Sequence, residues 1–510
     1  MNALATSAQV AVVGTGAMGA GIAQVALQAG HPVLLYDVGE GAAARGKGQI
    51  LQRLSRLVEK GRLGAAAAEG MGAALQVVDS LDALADADLV IEAIVEKLDA
   101  KRELFQALEA RVRRETLLAT NTSSVSVTAI AAGLQYPERL AGLHFFNPAP
   151  LMALVEVVSG LATSQATRAT LFATAQAWGK QPVHARSTPG FIVNRVARPF
   201  YAESLRLLEE GAADVPTLDA LLRDAGGFPM GAFELMDLIG HDVNAAVTRS
   251  VFDAFAQDPR FKPSLLQQEL VAAGRLGRKS GLGFYDYREG EAGCSASQCP
   301  ASPAPMGIRV EGDLGPAAAL LEGIRAAGIE VTTAPGEGLI RLAHCTLALT
   351  DGRTATTRSA DEGFPDLVLF DLVLDWAQPA RIALSVADQA PDTALAAAAG
   401  LLQRAGWVPT AIDDAPGLVV MRTLAMLANE AADAVLQAVA SAQAIDLAMR
   451  LGTNYPRGPL AWAQAVGCQR IWQVLSHLQA HYGEDRYRPS AYLRRHALSG
   501  IDLLQPNPVR

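Results

Sequence analysis

Apolar runs broken by glycine turns organise the first third of the chain. QVAVVG at 9–14 reads as a buried strand, AMGAGIAQVALQAG as a helix stopping at Gly30 with Pro32 just beyond, and PVLLYD as a second strand. Residues 38–70 are polar and alanine-rich with helical spacing, an insertion before the strand LQVVD. DLVIEAI at 88–94 predicts a strand, 97–112 a helix and TLLATN at 116–121 a strand, and strand-like runs return at 139–145, 153–158 and 181–185. Strands alternating with helices imply a parallel, doubly wound α/β sheet. From 187 the pattern is helix after helix, to about 285. The expected division is an α/β domain over 1–186, an all-α domain over 187–289, a Gly/Ser/Pro-bearing linker over 290–306, a small α/β domain over 307–411 and a second all-α domain over 412–510.

The last two domains repeat the first two. STPGFIVNR at 187–195 returns as DAPGLVVMR at 414–422, a shift of 227 residues. The same shift takes Glu203 to Glu430, Asp219 to Asp446, Pro229 to Pro456, Gly231 to Gly458 and Gly240 to Gly467, and RFKPS at 260–264 returns one residue out of step as RYRPS at 486–490. Proline, glycine and charged positions in one register mark a decayed copy.

Composition narrows the partners. The formal net charge is −9 and no Lys/Arg run is long enough to follow a phosphate backbone, so nucleic acid is not expected. No apolar run reaches the ~20 residues a membrane helix needs, and the N-terminus lacks a signal-peptide pattern. Cys294, Cys299, Cys345 and Cys468 form no C-x-x-C pair and have no histidine at zinc spacing, so no metal is expected. A cross-link between Cys294 and Cys299 is the weaker reading, and a reducing, cytoplasmic setting fits better.

Gly14, Gly16 and Gly19 follow a strand and open a helix, the context that gives G-x-G-x-x-G its meaning. The first glycine permits the turn, the second lets a pyrophosphate approach the backbone, and the third allows helix–strand packing; Ala17 and Met18 complete the loop. Asp37 ends the next strand, where a carboxylate accepts from a ribose diol and repels a 2′-phosphate. NAD is favoured over NADP, and FAD stays open as a rival.

LHFFNPAPLMALVEVV at 143–158 carries His144 and Glu156 twelve residues apart, around an Asn147-Pro148-Ala149-Pro150 turn. Free histidine titrates near pH 6.5, roughly where a base can take a proton from an alcohol. A carboxylate on its other nitrogen fixes tautomer and orientation. The spacing permits both residues to face each other on neighbouring strands; the bland alternative is a core histidine and a surface glutamate. NTSS at 121–124 sits past a strand end where ligands lie in open sheets, and Asn194 in STPGFIVNR is placed to bond a carbonyl or hydroxyl.

Taken together, VAVVGTGAMGAGIAQ, IEAIVE, NTSS, GLHFFNP, LVEVV, TPGFIVNR, MGAFELMDLIG and RKSGLGFYDY resemble the L-3-hydroxyacyl-CoA dehydrogenase family nearly continuously over 8–287. The two-copy layout is similar to the long bacterial members, which include 3-hydroxyadipyl-CoA dehydrogenases of phenylacetate breakdown. The resemblance implies a Rossmann-like NAD domain, His144 as general base, Glu156 as its orienting partner, and Ser123 and Asn194 on the substrate oxygen. It also places Glu96, Lys101 and Asn121 near the cofactor. The insertion would hold CoA through Arg45, Lys47 and Arg53, with Arg56 nearby. Oxidation of (3S)-3-hydroxyacyl-CoA is expected; the alternatives are a dehydrogenase of free 3-hydroxy acids and a non-catalytic nucleotide-binding protein. With no hydratase-like segment before residue 8, a fused β-oxidation enzyme is not expected.

In the second copy Asn194 falls on Met421, and His144 and Glu156 on Asp371 and Ala383 if the register holds that far back. No glycine fingerprint lies near 307–330. The second copy is therefore expected neither to bind NAD nor to catalyse, but to pack its helical domain on the first as a partner subunit would. The chain would be an internal pseudo-dimer, with further oligomerisation open.

Overall fold

A computed structural model describes residues 2–288 and 295–505. The chain forms two compact units, residues 1–195 with 438–453, and residues 196–437 with 454–510.

The first unit is built on an eight-stranded sheet of order β3-β2-β1-β4-β5-β6-β7-β8. Its strands are β1 Val10–Val13, β2 Val33–Tyr36, β3 Leu75–Val77, β4 Leu89–Glu92, β5 Leu117–Thr120, β6 Leu140–Phe145, β7 Leu154–Ser159 and β8 Gln181–Arg186. Neighbours are parallel except β6 and β7, which are antiparallel. The order reverses at β1 and β4, so the crevice at the carboxyl ends there is where a dinucleotide belongs. Helix Ala17–Gln28 is buried from Gly19 to Leu27, in keeping with its small and apolar sequence. The insertion forms helices Ala42–Glu59 and Ala65–Ala74 ahead of β3. Helix Ala442–Gly452, from the second copy, packs on β7 and β8. A Cβ on Gly452 would lie 2.9 Å from the side chains of Leu154 and Val193, so a larger residue would have to push those methyls aside.

The second unit holds a seven-stranded sheet of order β10-β9-β11-β12-β13-β14-β15. Its strands are β9 Gly307–Glu311, β10 Glu330–Ala334, β11 Leu339–Leu342, β12 Cys345–Leu349, β13 Leu367–Phe370, β14 Arg381–Val386 and β15 Val408–Ala411. β11 is antiparallel to β9 and β12, and β13 to β14. The helices of both copies meet along Arg198–Glu209 and Val420–Leu436. There Arg422, fully buried, donates to Glu203 and Glu210 at 2.8 and 2.9 Å and to the hydroxyls of Tyr482 and Tyr487 at 2.8 Å. Arg260 answers it by pairing with Glu430 and Asp433. Buried charges must be matched in this way, so such pairs select one packing more than they add stability. The expected packing of one helical domain on the other is what this unit shows.

Dihedral angles carry the repeat independently of sequence. Gly190 and Phe191 have φ of 72° and 46°, and Gly417 and Leu418 have 75° and 54°. Gly211 at 77° answers to Ala438 at 55°, and Gly227 at 67° to Asn454 at 54°. Non-glycine residues rarely adopt these angles, so their persistence under one shift marks a retained backbone.

The segment read as a linker is less free than expected. Residues 290–294 lie outside the described residues, but Cys299 donates its N–H to the Pro409 carbonyl at 2.8 Å and Ser302 to the Gln403 amide oxygen at 2.9 Å. It lies along β15, an edge strand, and so covers donors and acceptors that would otherwise invite pairing.

Candidate active site

Antiparallel pairing of β6 and β7 sets His144 directly opposite Glu156. The imidazole Nδ1 lies 2.7 Å from Glu156 Oε2. Glu156 is fully buried and His144 is 6% exposed, which removes the alternative of a surface glutamate. The other carboxylate oxygen, Oε1, accepts the main-chain N–H groups of Ile192 and Val193 at 3.0 and 3.1 Å. The left-handed turn at Gly190-Phe191 delivers them; a Cβ on Gly190 would lie 2.9 Å from the Arg195 nitrogen. With Nδ1 engaged, Nε2 is the ring nitrogen left to exchange a proton with a ligand. Phe146 and Phe191 flank the ring, with centroids 4.5 and 5.9 Å away.

The loops beyond β4 and β5 are tied together by Glu96. Its Oε1 accepts the Thr122 hydroxyl at 2.6 Å, the N–H groups of Ser123 and Ser124 at 2.8 and 3.0 Å, and the Ser124 hydroxyl at 3.0 Å. Lys101 sits 2.6 Å from Glu92 and 3.1 Å from Glu96. Burial alone would raise the Glu96 carboxyl, but the Lys101 ammonium and the Thr122 and Ser123 donors bring it down to about 2. Lys101 is 1% exposed, sharing the buried face of helix Leu98–Glu109 with Phe105 and Leu108. It lies behind Glu96 as a support. Asn121 accepts the Phe145 N–H at 2.8 Å, fastening this loop beside His144. The Asn194 amide nitrogen is 3.5 Å from the Ser123 carbonyl, which brings these two expected substrate contacts together. Glu92 was not foreseen, although a lysine at helical spacing with Phe105 and Leu108 already signals a buried cation in need of an acid.

The glycine loop fits a dinucleotide. A Cβ on Gly14, whose φ is 90°, would lie 2.5 Å from the Ala93 carbonyl oxygen, and one on Gly19 would lie 1.8 Å from that of Gly14. Gly16 has nothing within 4 Å of that position, leaving its face open to a ligand. Ala17 and Met18 begin helix Ala17–Gln28. Asp37 accepts the Thr15 N–H and hydroxyl at 2.7 and 2.9 Å and the Gly39 N–H at 2.9 Å. Burial opposes ionisation, but the Gly39 and Thr15 donors outweigh it and hold the Asp37 carboxyl below its ordinary range.

On helix Ala42–Glu59, Arg45 is exposed and donates to the Glu40 carbonyl at 3.1 Å, and Arg53 is half-buried. Lys47 is turned away from Arg45 by about 200° of helix, and its ammonium donates to the Leu75 carbonyl at 2.6 Å. Lys47 thus braces the insertion against β3, apart from the arginines it was grouped with.

The second copy keeps the register and loses the chemistry. Phe370 pairs with Leu384, as Leu143 pairs with Val157, so Asp371 and Ala383 stand where His144 and Glu156 do. Its first strand–turn–helix has Gly312, with φ of 79°, then Asp313, Leu314 and Ala317 in place of Thr15, Gly16 and Gly19. A buried leucine, Leu314, takes the place of Gly16. Cys299, Cys345 and Cys468 are buried and form no disulfide, while Cys294 lies outside the described residues. Among the described residues no cluster of three or more His, Cys, Asp or Glu side chains is arranged to hold a metal, and no helix is long and apolar enough to cross a membrane.

Comparison with known proteins agrees with this layout. Residues 9–188 match the 3-hydroxyacyl-CoA dehydrogenase NAD-binding domain, 190–287 and 417–501 the C-terminal domain of the same family, and 347–416 the 3-hydroxybutyryl-CoA dehydrogenase reduced Rossmann-fold domain. The chain is 49% identical to the 3-hydroxyadipyl-CoA dehydrogenase of Escherichia coli K12, over 96% of this chain and 97% of that one. It is 42% identical to the mitochondrial hydroxyacyl-coenzyme A dehydrogenase of Sus scrofa over 55% of this chain and 91% of that one. The crystal structure of a 3-hydroxybutyryl-CoA dehydrogenase from E. coli K12 superposes with a TM-score of 0.88 at 48% identity, covering 97% of this chain and 99% of that one.

Proposed function

The chain belongs to the 3-hydroxyacyl-CoA dehydrogenase family and is an NAD-dependent oxidoreductase of that kind; we propose that its single active site is built on His144 and Glu156. The reaction is (3S)-3-hydroxyacyl-CoA + NAD+ ⇌ 3-oxoacyl-CoA + NADH + H+. NAD, when bound, supplies the hydride acceptor. Gly14, Gly16, Ala17, Met18 and Gly19 would hold its phosphates and Asp37 its ribose. Glu96, Lys101 and Asn121 would lie near the cofactor and keep the neighbouring loop in place.

His144 Nε2 takes the proton of the substrate hydroxyl, and Glu156 on Nδ1 stabilises the imidazolium that forms. Ser123 and Asn194 orient the substrate oxygen, and Arg45 and Arg53 meet the phosphates of CoA. The 2.7 Å contact between His144 and Glu156 carries this reading. His144→Gln should leave NADH binding intact and lower turnover about 10²–10⁴-fold; near-normal turnover would refute the assignment.

The Escherichia coli relatives bear the names of a six-carbon dicarboxylic and a four-carbon substrate, so 3-hydroxyadipyl-CoA, formed in phenylacetate degradation, and 3-hydroxybutyryl-CoA are the first to assay. Activity on free 3-hydroxy acids would favour the alternative dehydrogenase. We place the enzyme in the cytoplasm, as a pseudo-dimeric chain with one site.

A further inference from the structure

Resting on the assignment above, and on Arg45 and Arg53 as its CoA contacts, we propose that Gly46 and Thr15 are positioning residues for the nucleotide end of the substrate. Their contact seats helix Ala42–Glu59 on the dinucleotide loop, and so sets how far the two arginines stand from the cofactor. Gly46 belongs to the buried stripe of that helix, with Ala43, Ile50 and Leu54. A Cβ on Gly46 would lie 2.9 Å from Thr15 Cβ and 3.2 Å from the Thr15 carbonyl oxygen. Neither atom can swing aside. The carbonyl is main chain, and the side chain is pinned because the Thr15 hydroxyl and N–H both donate to Asp37 Oδ2, at 2.9 and 2.7 Å. Thr15 stands between Gly14 and Gly16, in the loop that would hold the phosphates of NAD. A side chain at position 46 therefore has to lift the helix.

A lift would carry the arginines with it. Arg45 and Arg53 stand about 100° and 20° round the helix from Gly46, both to the same side. Lys47 stands to the other side, where its ammonium donates to the Leu75 carbonyl at 2.6 Å. The helix is thus tied to β3 by one residue and rests on the loop through the residue before it. Gly48 supplies a contrast within the same helix, since a Cβ there would meet nothing within 4 Å. The second copy shows that the α/β fold does not require this helix. Its sheet passes from β10, which ends at Ala334, to β11, which begins at Leu339, with no helix between them. In the first copy residues 37–74 separate β2 from β3 and form two helices. The insertion is present only in the copy that has kept His144, as expected of an element that serves a ligand.

The test compares 3-hydroxybutyryl-CoA with the 3-hydroxybutyryl thioester of N-acetylcysteamine, which keeps the reacting end and lacks the nucleotide. In Gly46→Ala of the full chain, kcat/KM for the CoA ester should fall about tenfold, mainly through KM, while the short thioester and NADH binding stay within about twofold of the wild type. Gly48→Ala should leave both substrates within about twofold. An unchanged CoA ester in Gly46→Ala, an equal fall on both substrates, or a matching fall in Gly48→Ala would overturn the proposal. Should G46A fail to fold, Lys47→Met replaces it by releasing the helix from Leu75. It should give the same split between substrates, and no split would also overturn the proposal. If Arg45→Ala combined with Arg53→Ala leaves the KM of the CoA ester unchanged, it is the CoA contacts assigned above that fail. Absence of turnover on the CoA ester by the wild type would defeat the function itself.

Discussion

Asp371 stands one repeat after His144, and its carboxylate does the second task of Glu156. It accepts the main-chain N–H groups of Val419, Val420 and Met421 at 2.9, 2.6 and 3.0 Å, where Glu156 accepts those of Ile192 and Val193. The backbone-holding carboxylate has survived in both copies, from opposite members of the strand pair. The imidazole has survived in one. Glu156 is thus both the partner of a base and a structural anchor, and the two tasks separate experimentally.

In Glu156→Gln an oxygen remains for Ile192 and Val193, while the charge facing His144 is lost. Turnover should fall about 10²–10⁴-fold with a small change in unfolding free energy. Glu156→Ala should be as inactive and, with two buried donors left unpaired, about 2–4 kcal/mol less stable in urea. Equal stability of the two variants would contradict the anchoring role.

Asp371→Ala should lose stability by a similar amount, about 2–4 kcal/mol. Turnover per folded molecule should stay within about twofold of the wild type, because the second copy carries no base. A loss of kcat beyond that in a fully folded sample would show that the second copy takes part in the chemistry.

Titration with NADH should saturate at one molecule per chain. Leu314 and Ala317 fill the places of Gly16 and Gly19, leaving a pyrophosphate no close approach to the second loop. Two equivalents bound with comparable affinity would exclude this. Asp37→Ala should weaken NADH binding about tenfold, since it removes the ribose acceptor and releases Thr15.

Glu96 predicts an acid-side dependence. Its carboxyl is held at about 2, against an ordinary 4.5. The stability it contributes is therefore fully present above about pH 4.5 and is lost as the pH falls toward 2. The urea midpoints of wild type and Glu96→Gln should differ by a constant amount from neutrality down to about pH 4.5 and converge below it. Curves that run parallel to pH 3 would show that Glu96 is not ionically held by Lys101.

The sequence reached far where signals are local. The glycine loop, the alternation of strands and helices, and the twelve residues between His144 and Glu156 are each properties of a short stretch of chain. The 227-residue shift compares the chain with itself and needs no coordinates. It located Asp371 opposite Ala383, which the β13–β14 register bears out. Partners far apart in the chain were another matter. That Lys101 turns inward to Glu92, that Lys47 braces β3 and that Cys299 lies along β15 could not be read from spacing, because each depends on which surface another segment brings against it.

The sequence by itself determined the family, the cofactor and the decay of the second copy, since these rest on residue identities in fixed local patterns. Tertiary structure alone decided how the charges are matched. Burial fixes which carboxylate meets which cation, and a buried charge is tolerated only beside its partner. The fold therefore spends Glu156 on two donors and a histidine, and draws helix Ala442–Gly452 out of the second copy onto the strand that carries Glu156.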